Sequence, residues 1–89
     1  MSADEDRILD AVRAIPEGFV RTYGDIWPPA PRLTGRVLKM TTAEVPWWRV
    51  VRADGSLAAG EEQRARLIAE GVPIRSGKID LDKARLPDG

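Results

Sequence analysis

Apolar residues near the start of the chain recur at helical spacing and predict a first helix over residues 4–14. The first turn of this helix is acidic, as the helix dipole favours. The segment Ile15-Pro16-Glu17-Gly18 ends the helix, and residues 19–21 are suited to an extended conformation. Thr22 is then expected to cap a short helical turn over residues 23–27, which the prolines after it terminate.

A second amphipathic pattern covers residues 32–40. Its apolar and basic residues fall on different sides of a predicted helix, with Leu33, Val37 and Met40 on one side and Arg32, Arg36 and Lys39 on the other. Two short helices joined by a proline-rich turn, of which the second is basic, are the outline of a helix-turn-helix. The pattern therefore predicts a helix-turn-helix in the first half of the chain.

The second half of the chain predicts a hairpin and a further helix. Residues 45–52 are the strongest strand candidate, and Ala53-Asp54-Gly55-Ser56 is a turn that would lead back into Leu57-Ala58 and complete a wing. A helix is predicted over residues 61–70, with a glycine on either side. The expected fold class is therefore α+β, mainly α: a winged helix-turn-helix DNA-binding domain with a small β-hairpin wing.

Length and composition narrow the possible functions. The chain of 89 residues is read as a single domain over residues 1–89, and its 43% hydrophobic and 31% charged residues are typical of a globular protein. It contains no cysteine and no histidine, which removes the thiolate nucleophile, the zinc-thiolate site and the commonest general base. Other nucleophiles remain, so the composition disfavours catalysis without forbidding it. We expect a binding protein that uses no metal and no cofactor.

The charges are unevenly distributed, although the formal net charge is zero. Between residues 13 and 52 the chain carries seven basic and three acidic side chains, an excess of four, and the flanks supply the compensating acids. A basic middle is suited to a phosphate backbone, although a solvated mixed-charge surface would look the same. No apolar run is long enough to cross a bilayer. We expect a monomeric protein in the cytoplasm. When it is bound to DNA, we expect it to be associated with the nucleoid.

Five stretches of the chain resemble the DNA-binding domain of the O6-alkylguanine-DNA alkyltransferases: residues 15–26, 31–38, 45–51, 54–57 and 66–73. The active-site signature of that family is Pro-Cys-His-Arg-Val, and the matching residues here are Pro46-Trp47-Trp48-Arg49-Val50. Tryptophan in place of the acceptor cysteine is typical of the alkyltransferase-like proteins, which are non-catalytic relatives. The resemblance implies a protein that flips O6-alkylguanine out of duplex DNA into a pocket, transfers no alkyl group and marks the lesion for nucleotide excision repair.

The resemblance also implies a set of DNA-contacting positions, which are Thr22, Tyr23, Arg32, Gly35, Arg36 and Lys39. Arg32 matches the finger arginine that fills the gap left in the base stack, a role suited to a flat and permanently charged guanidinium. Tyr23 matches the tyrosine that helps to rotate the nucleotide outward, and Thr22 lies where a phosphate would be held. Gly35 would permit close approach to the DNA backbone, and the two basic residues after it would supply nonspecific charge.

The pocket for the alkylguanine is expected to involve Trp47, Trp48, Arg49, Val50 and Gly60. Trp47 would offer a broad apolar face to the alkyl group, and the stretch from Leu57 to Gly60 would complete the enclosure. Trp48 stands where the family usually has histidine, so the matching glutamate, Glu70, is expected to lose that partner. On a strand the two indoles would point to opposite faces, which leaves open which one lines the pocket.

Two other functions remain compatible with the sequence. A winged-helix regulator or interaction module would read duplex DNA without flipping a base, and it would be indifferent to the alkyl group. A residual repair enzyme would carry the alkyl label on the protein, which we do not expect. The favoured function makes double-stranded DNA with O6-alkylguanine the ligand and nucleotide excision repair proteins the partners.

Overall fold

The structure is a computed structural model that describes residues 3–87. Its α-helices are α1 (Ala3–Arg13), α2 (Tyr23–Ile26), α3 (Pro31–Met40), α4 (Gly60–Ala69) and α5 (Leu81–Ala84). Its strands are β1 (Arg21–Thr22), β2 (Val50–Val51), β3 (Ile74–Arg75) and β4 (Lys78–Ile79), and a 3-10 turn covers Trp47–Arg49. The fold is therefore mainly helical with two small sheets, as expected. Within the described residues, no helix has the length and apolar character needed to cross a membrane.

Helices α2 and α3 form the predicted helix-turn-helix. Thr22 caps α2 in a reciprocal arrangement: its hydroxyl accepts from the Asp25 N–H, and the Asp25 carboxylate accepts from the Thr22 N–H, both at 3.1 Å. The buried Thr34 hydroxyl of α3 donates to the carbonyl of Tyr23 at 3.1 Å, which joins the two helices directly. These bonds hold the start of α2 against α3.

The core consists of two apolar clusters on either side of β2. The first contains Val50 together with buried residues from α1, α2 and α3, and the second contains Val51 together with Val20, Leu67 and residues from the C-terminal part of the chain. Successive side chains of a strand point to opposite faces, so these two adjacent valines enter different clusters. Met40, which the helical spacing grouped with the apolar side of α3, is 75% exposed.

The strand predicted over residues 45–52 is mostly wrong. The backbone closes tight turns from Val45 onward, with the Trp47 N–H bonded to the Val45 carbonyl at 2.7 Å and the Arg49 N–H bonded to the Pro46 carbonyl at 3.0 Å. Proline has no N–H for a strand ladder and a fixed φ, which favours this turn. Only Val50–Val51 remains extended, and it pairs in parallel with β1.

The predicted wing is also wrong, since residues 57 and 58, directly after the turn, form no strand, and the next element is α4. The turn is closed by bonds from the Gly55 N–H to the Arg52 carbonyl and from the Arg52 N–H to the Ser56 carbonyl. Gly55 has a φ of +85° and accepts from the Ile79 N–H at 2.9 Å, so the turn docks on β4. The antiparallel hairpin of this fold is β3–β4, in which Ile74 pairs with Ile79 and Arg75 pairs with Lys78.

Candidate nucleic-acid interface

A cleft of about 730 Å³ lies beside the helix-turn-helix. Its walls are formed by Tyr23, Pro31, Arg32, Gly35, Leu38, Lys39, Trp47, Arg52, Ala58, Ala59 and Gln63. The lining is mainly apolar, and it includes three basic side chains and no carboxylate among the described residues. A concave apolar site of this size with a few polar groups is typical of small-ligand pockets. Five of the predicted site residues meet here: Tyr23, Arg32, Gly35, Lys39 and Trp47.

Helix α3 forms one wall of the cleft. Pro31 stands at its start, where a missing N–H costs nothing, and the exposed Arg32 follows in the first turn. Gly35 and Lys39 lie three and seven positions further on, which brings them to the same face of the helix as Arg32. Arg36 faces a different cavity, which Glu5 also lines, so the structure does not bring it to the cleft.

Tyr23 forms the corner where α2 meets α3. A Cβ atom at Gly35 would lie 3.8 Å from Cε1 of the Tyr23 ring, an ordinary van der Waals contact, so the tyrosine ring packs beside the helix at this position. Burial raises the pKa of the Tyr23 hydroxyl, while the positive charge of Arg52 acts in the opposite direction. The phenol is therefore a hydrogen-bond donor at neutral pH. Thr22 is buried with its hydroxyl engaged in the α2 cap, which gives it a positioning role in this structure.

The 3-10 turn separates the two indoles that the sequence left unassigned. Their rings meet edge to face, with centroids 5.8 Å apart and an angle of 88° between the planes. Trp47 lines the cleft, whereas Trp48 packs against the second core cluster. The Arg66 guanidinium lies 4.7 Å from the Trp48 ring centre and 5.6 Å from that of Trp47, and all three side chains line a second cavity. Of the two indoles, Trp47 is therefore the one that a ligand in the cleft can touch.

Behind the cleft, the side chains of Trp48, Arg49 and Glu70 form a cluster that we call the Glu70 cluster. The Trp48 indole N–H donates to Oε2 of Glu70 at 2.8 Å, and the Arg49 guanidinium donates to both carboxylate oxygens at 2.8 to 3.2 Å. Glu70 was expected to lose its histidine partner, and the structure shows that the Trp48 indole N–H takes the place of that donor. Arg49 is bound inside this cluster, so it does not line the cleft.

The Glu70 cluster also ties distant segments together. A further nitrogen of Arg49 donates to the Ile15 carbonyl at 2.9 Å, and the Gly18 N–H donates to Oε1 of Glu70 at 3.3 Å. Burial acts to raise the pKa of Glu70, but the hydrogen bonds from Arg49, Trp48 and Gly18 outweigh it, and the pKa lies below its ordinary value. The carboxylate is therefore charged at neutral pH and holds the turn after α1, the 3-10 turn and the end of α4 in one arrangement.

Gln63 supports the opposite wall of the cleft. Its buried amide donates to the carbonyls of Val50 at 2.8 Å and Trp48 at 3.1 Å, and its oxygen accepts from the Ala59 N–H at 3.1 Å. The Val50 side chain is fully buried in the core, and it is therefore not available to a ligand as predicted. Gly60 begins α4 outside the cleft, next to the alanines that line it.

Sequence reasoning missed Leu38, Arg52 and Gln63 as cleft residues. Leu38 follows Gly35 by three positions, so the periodicity of α3 could have placed it beside the cleft. In the sequence, Arg52 contributed only to the count of basic residues. The hairpin predicted around it placed it at the end of a strand, whereas the structure has a turn there. Gln63 had no local signal, since its partners lie 13 and 15 positions away in the chain.

The fold and the cleft define a helix-turn-helix DNA-binding domain in which a basic helix borders an apolar, carboxylate-free pocket. Residues 4–72 match the family described as the DNA-binding domain of 6-O-methylguanine DNA methyltransferase, and the chain belongs to this family. The resemblance found in the sequence is thereby confirmed, and so is the helix-turn-helix fold class.

Curated relatives extend this result. The chain is 42% identical over 91 residues to a protein of Escherichia coli named DNA base-flipping protein. The alignment covers 89% of this chain and 70% of the relative. The chain is 37% identical over 95 residues to alkyltransferase-like protein 1 of Schizosaccharomyces pombe, which covers 92% of this chain and 88% of the relative. Relatives with both names therefore share most of their length with this chain.

Solved structures show the same fold. The S. pombe alkyltransferase-like protein in complex with damaged DNA containing O6-carboxymethylguanine matches with a TM-score of 0.86 and 29% identity, covering 99% of this chain and 98% of that one. The O6-methylguanine methyltransferase of Mycobacterium tuberculosis matches with a TM-score of 0.69 and 26% identity, covering 85% of this chain and 53% of that one. The fold is thus common to a methyltransferase and to a protein bound to damaged DNA.

Proposed function

We propose that this protein is a non-catalytic DNA-damage sensor that binds O6-alkylguanine in duplex DNA by everting the nucleotide into the cleft. The observation that carries the proposal is the position of Trp47, which occupies the place of the acceptor cysteine in the family signature and lines the cleft beside Tyr23. A relative bound to DNA that contains an O6-alkylated guanine supports the same class of ligand.

Eversion of the nucleotide is assigned to Arg32 and Tyr23. Arg32 is exposed at the start of α3 and has no carboxylate partner among residues 3–87, so its guanidinium is available to enter the base stack. Its flat shape and permanent charge allow it to stack as a base does and to bond the base left without a partner. Tyr23 stands at the rim, where its ring would crowd the phosphate of the rotating nucleotide.

The cleft would then hold the everted base against an apolar wall. Extrusion of a base costs a few kcal/mol, and the cost is smallest where pairing is already weakened, as in a mispaired alkylguanine. Burial of the alkyl group against Trp47, Leu38 and Ala58 would add about 0.8 kcal/mol for each methylene. Discrimination against guanine therefore has two sources, cheaper opening and burial of the alkyl group.

Alkyl transfer is excluded from the proposal by the chemistry of the lining residues. The chain has no cysteine to act as a soft nucleophile and no histidine to activate one. Burial raises the pKa of the Tyr23 hydroxyl, which disfavours the phenolate that could attack a carbon centre. The bound protein itself would therefore be the signal, and we propose that it marks the lesion for nucleotide excision repair.

A titration by fluorescence polarisation tests the proposal. One duplex carries a single O6-methylguanine and a second carries guanine at the same position, with identical flanking sequence and salt concentration. We expect the modified duplex to bind at least tenfold more tightly. Mass spectrometry of the recovered protein should show no added methyl group. Equal affinity for the two duplexes, or a preference set only by the flanking sequence, would instead identify a regulator that does not evert bases.

A further inference from the structure

Arg52 is a cleft residue that the roles described so far do not use. It follows β2 directly. Strands β1 and β2 are parallel, and Thr22 pairs with Val51. The next residues, Tyr23 and Arg52, therefore lie side by side at the same end of the two-stranded sheet. The Arg52 backbone is held at both ends, with its N–H bonded to the Ser56 carbonyl at 3.1 Å and its carbonyl bonded to the Gly55 N–H at 2.8 Å. The Arg52 side chain therefore lines the cleft from a turn whose backbone is hydrogen-bonded at both ends.

The charge of Arg52 is uncompensated in the described part of the chain. Three basic residues of this half have carboxylate partners: Arg49 has Glu70 at 2.8 Å, Arg66 has Glu62 at 3.4 Å and Lys78 has Asp54 at 3.4 Å. No carboxylate among residues 3–87 forms an ion pair with Arg52 or lines the cleft. A cation beside apolar walls without a counter-ion is suited to an anionic group brought by the ligand.

The position of Arg52 in the cleft points to the base and not to the DNA backbone. The other two cations of the cleft, Arg32 and Lys39, belong to α3, the helix proposed to face the DNA. Arg52 belongs instead to the turn after β2, and it lines the cleft together with Trp47 and Gln63, where the everted base would lie. Both polar atoms of the Gln63 amide are already bonded within the protein, which leaves Arg52 as the polar group of this wall that can meet a substituent.

We propose that Arg52 is a specificity-determining residue that selects O6-alkylguanines whose substituent carries a negative charge, by pairing its guanidinium with that charge. This inference rests on the proposed function. A carboxylate on the O6 substituent would accept two parallel hydrogen bonds from the guanidinium fork of the exposed Arg52. A neutral substituent of the same shape would leave the guanidinium without this partner.

The test compares two duplexes that differ only in charge at the lesion. One carries O6-carboxymethylguanine and the other carries the neutral amide of the same substituent, O6-carbamoylmethylguanine, while duplexes with O6-methylguanine and with guanine serve as references. We expect the wild-type protein to bind the carboxymethyl duplex about tenfold more tightly than the amide duplex, which is the effect of one charge-assisted hydrogen-bonded pair. Arg52→Gln should abolish this ratio and keep the preference for O6-methylguanine over guanine, and Arg52→Lys should restore part of it.

The matched control is Arg75→Gln, which removes one exposed positive charge from β3, outside the cleft. It should leave the ratio between the carboxymethyl and amide duplexes unchanged. A wild-type protein that binds the two duplexes equally would overturn the proposal. So would an Arg52→Gln variant that loses affinity for all four duplexes by the same factor, since that result assigns Arg52 to a phosphate. Failure of the proposed function would look different, as equal binding of the O6-methylguanine and guanine duplexes.

Discussion

Arg49 and Arg52 lie three positions apart in the chain but in opposite environments. Arg49 is fixed in the Glu70 cluster, where the exposed fractions of the Arg49 and Glu70 side chains are 16% and 9%. Arg52 lies in the cleft without a carboxylate partner among the described residues. The adjacent indoles differ in the same way, since Trp48 is bonded to Glu70 and Trp47 faces the cleft. In this molecule, the side chains that are hydrogen-bonded to Glu70 stabilise the fold, and the neighbouring side chains that line the cleft are available to bind a ligand.

The largest expected effect comes from breaking the Glu70 cluster. Glu70→Ala leaves the Arg49 charge buried and removes the acceptor of the Trp48 and Gly18 N–H groups, so it should lower the free energy of unfolding by about 3–5 kcal/mol. Chemical denaturation with urea measures this loss. Glu62→Ala, which removes the exposed partner of Arg66, is the matched control and should cost less than about 1 kcal/mol. Similar losses in both variants would show that the cluster is not structural.

The next effect concerns the cleft and should spare the fold. Arg32→Ala should weaken binding of an O6-methylguanine duplex at least tenfold, about 1.4 kcal/mol, because nothing fills the gap in the base stack. Lys39→Ala should weaken modified and unmodified duplexes alike and should reduce the salt slope by about one unit. Binding titrations at several salt concentrations separate the two roles. Equal and unselective losses in both variants would contradict the assignment of Arg32 as the finger.

A third prediction separates the two indoles. Trp48→Phe removes the N–H that Glu70 accepts and should lower the free energy of unfolding by about 1–2 kcal/mol, since a carboxylate is left with one donor fewer. Trp47→Phe removes no such bond, so it should cost less stability than Trp48→Phe through lost packing against the first core cluster, while it reduces the preference for O6-methylguanine over guanine. Thermal unfolding and duplex titration of both variants test this division. A reversal, with Trp47 important for stability and Trp48 for selectivity, would exchange their roles.

The smallest effect is a pH dependence of stability that the Glu70 cluster should produce. The folded protein holds the pKa of Glu70 below its ordinary value, so the stabilisation is fully present above the ordinary glutamate pKa and is lost as the pH falls through the lower folded pKa. Asp25 acts in the same direction, because its hydrogen bond with Arg85 lowers its pKa. Unfolding free energies measured from pH 7 down to pH 3 should fall more steeply in the wild type than in Glu70→Gln. Parallel curves would argue against this linkage.

The helices could be predicted from the sequence because their signals are local. The spacing of apolar residues in α1 and α3, the cap at Thr22 and the glycines around α4 all lie within a few positions of the elements that they specify. The site residues on α2 and α3 were reached through the family motif, and the structure brings Tyr23, Arg32 and Gly35 to one cleft. Their roles at DNA stay predictions.

The features that the sequence did not reveal depend on contacts between distant residues. Valines and tryptophans after Pro46 favour a strand locally, but pairing with β1 extends only over Val50–Val51, and the turn that follows is held by β4. Likewise, Glu70 and Trp48 are 22 positions apart, and only the packing of α4 against the 3-10 turn brings the indole N–H to the carboxylate. Because such partners leave no periodic pattern in the chain, neither the Glu70 cluster nor the position of Arg52 could be predicted from it.

The central claim is that the cleft beside Trp47 holds a nucleotide rotated out of the duplex. The most direct measurement places 2-aminopurine next to O6-methylguanine in a duplex and follows its fluorescence as the protein is added. Eversion removes a stacking neighbour of the probe, so we expect its fluorescence to rise with saturating wild-type protein and to stay low with Arg32→Ala at a concentration that also saturates the DNA. Unchanged fluorescence with fully bound wild-type protein would mean that the base remains stacked, and it would contradict the account.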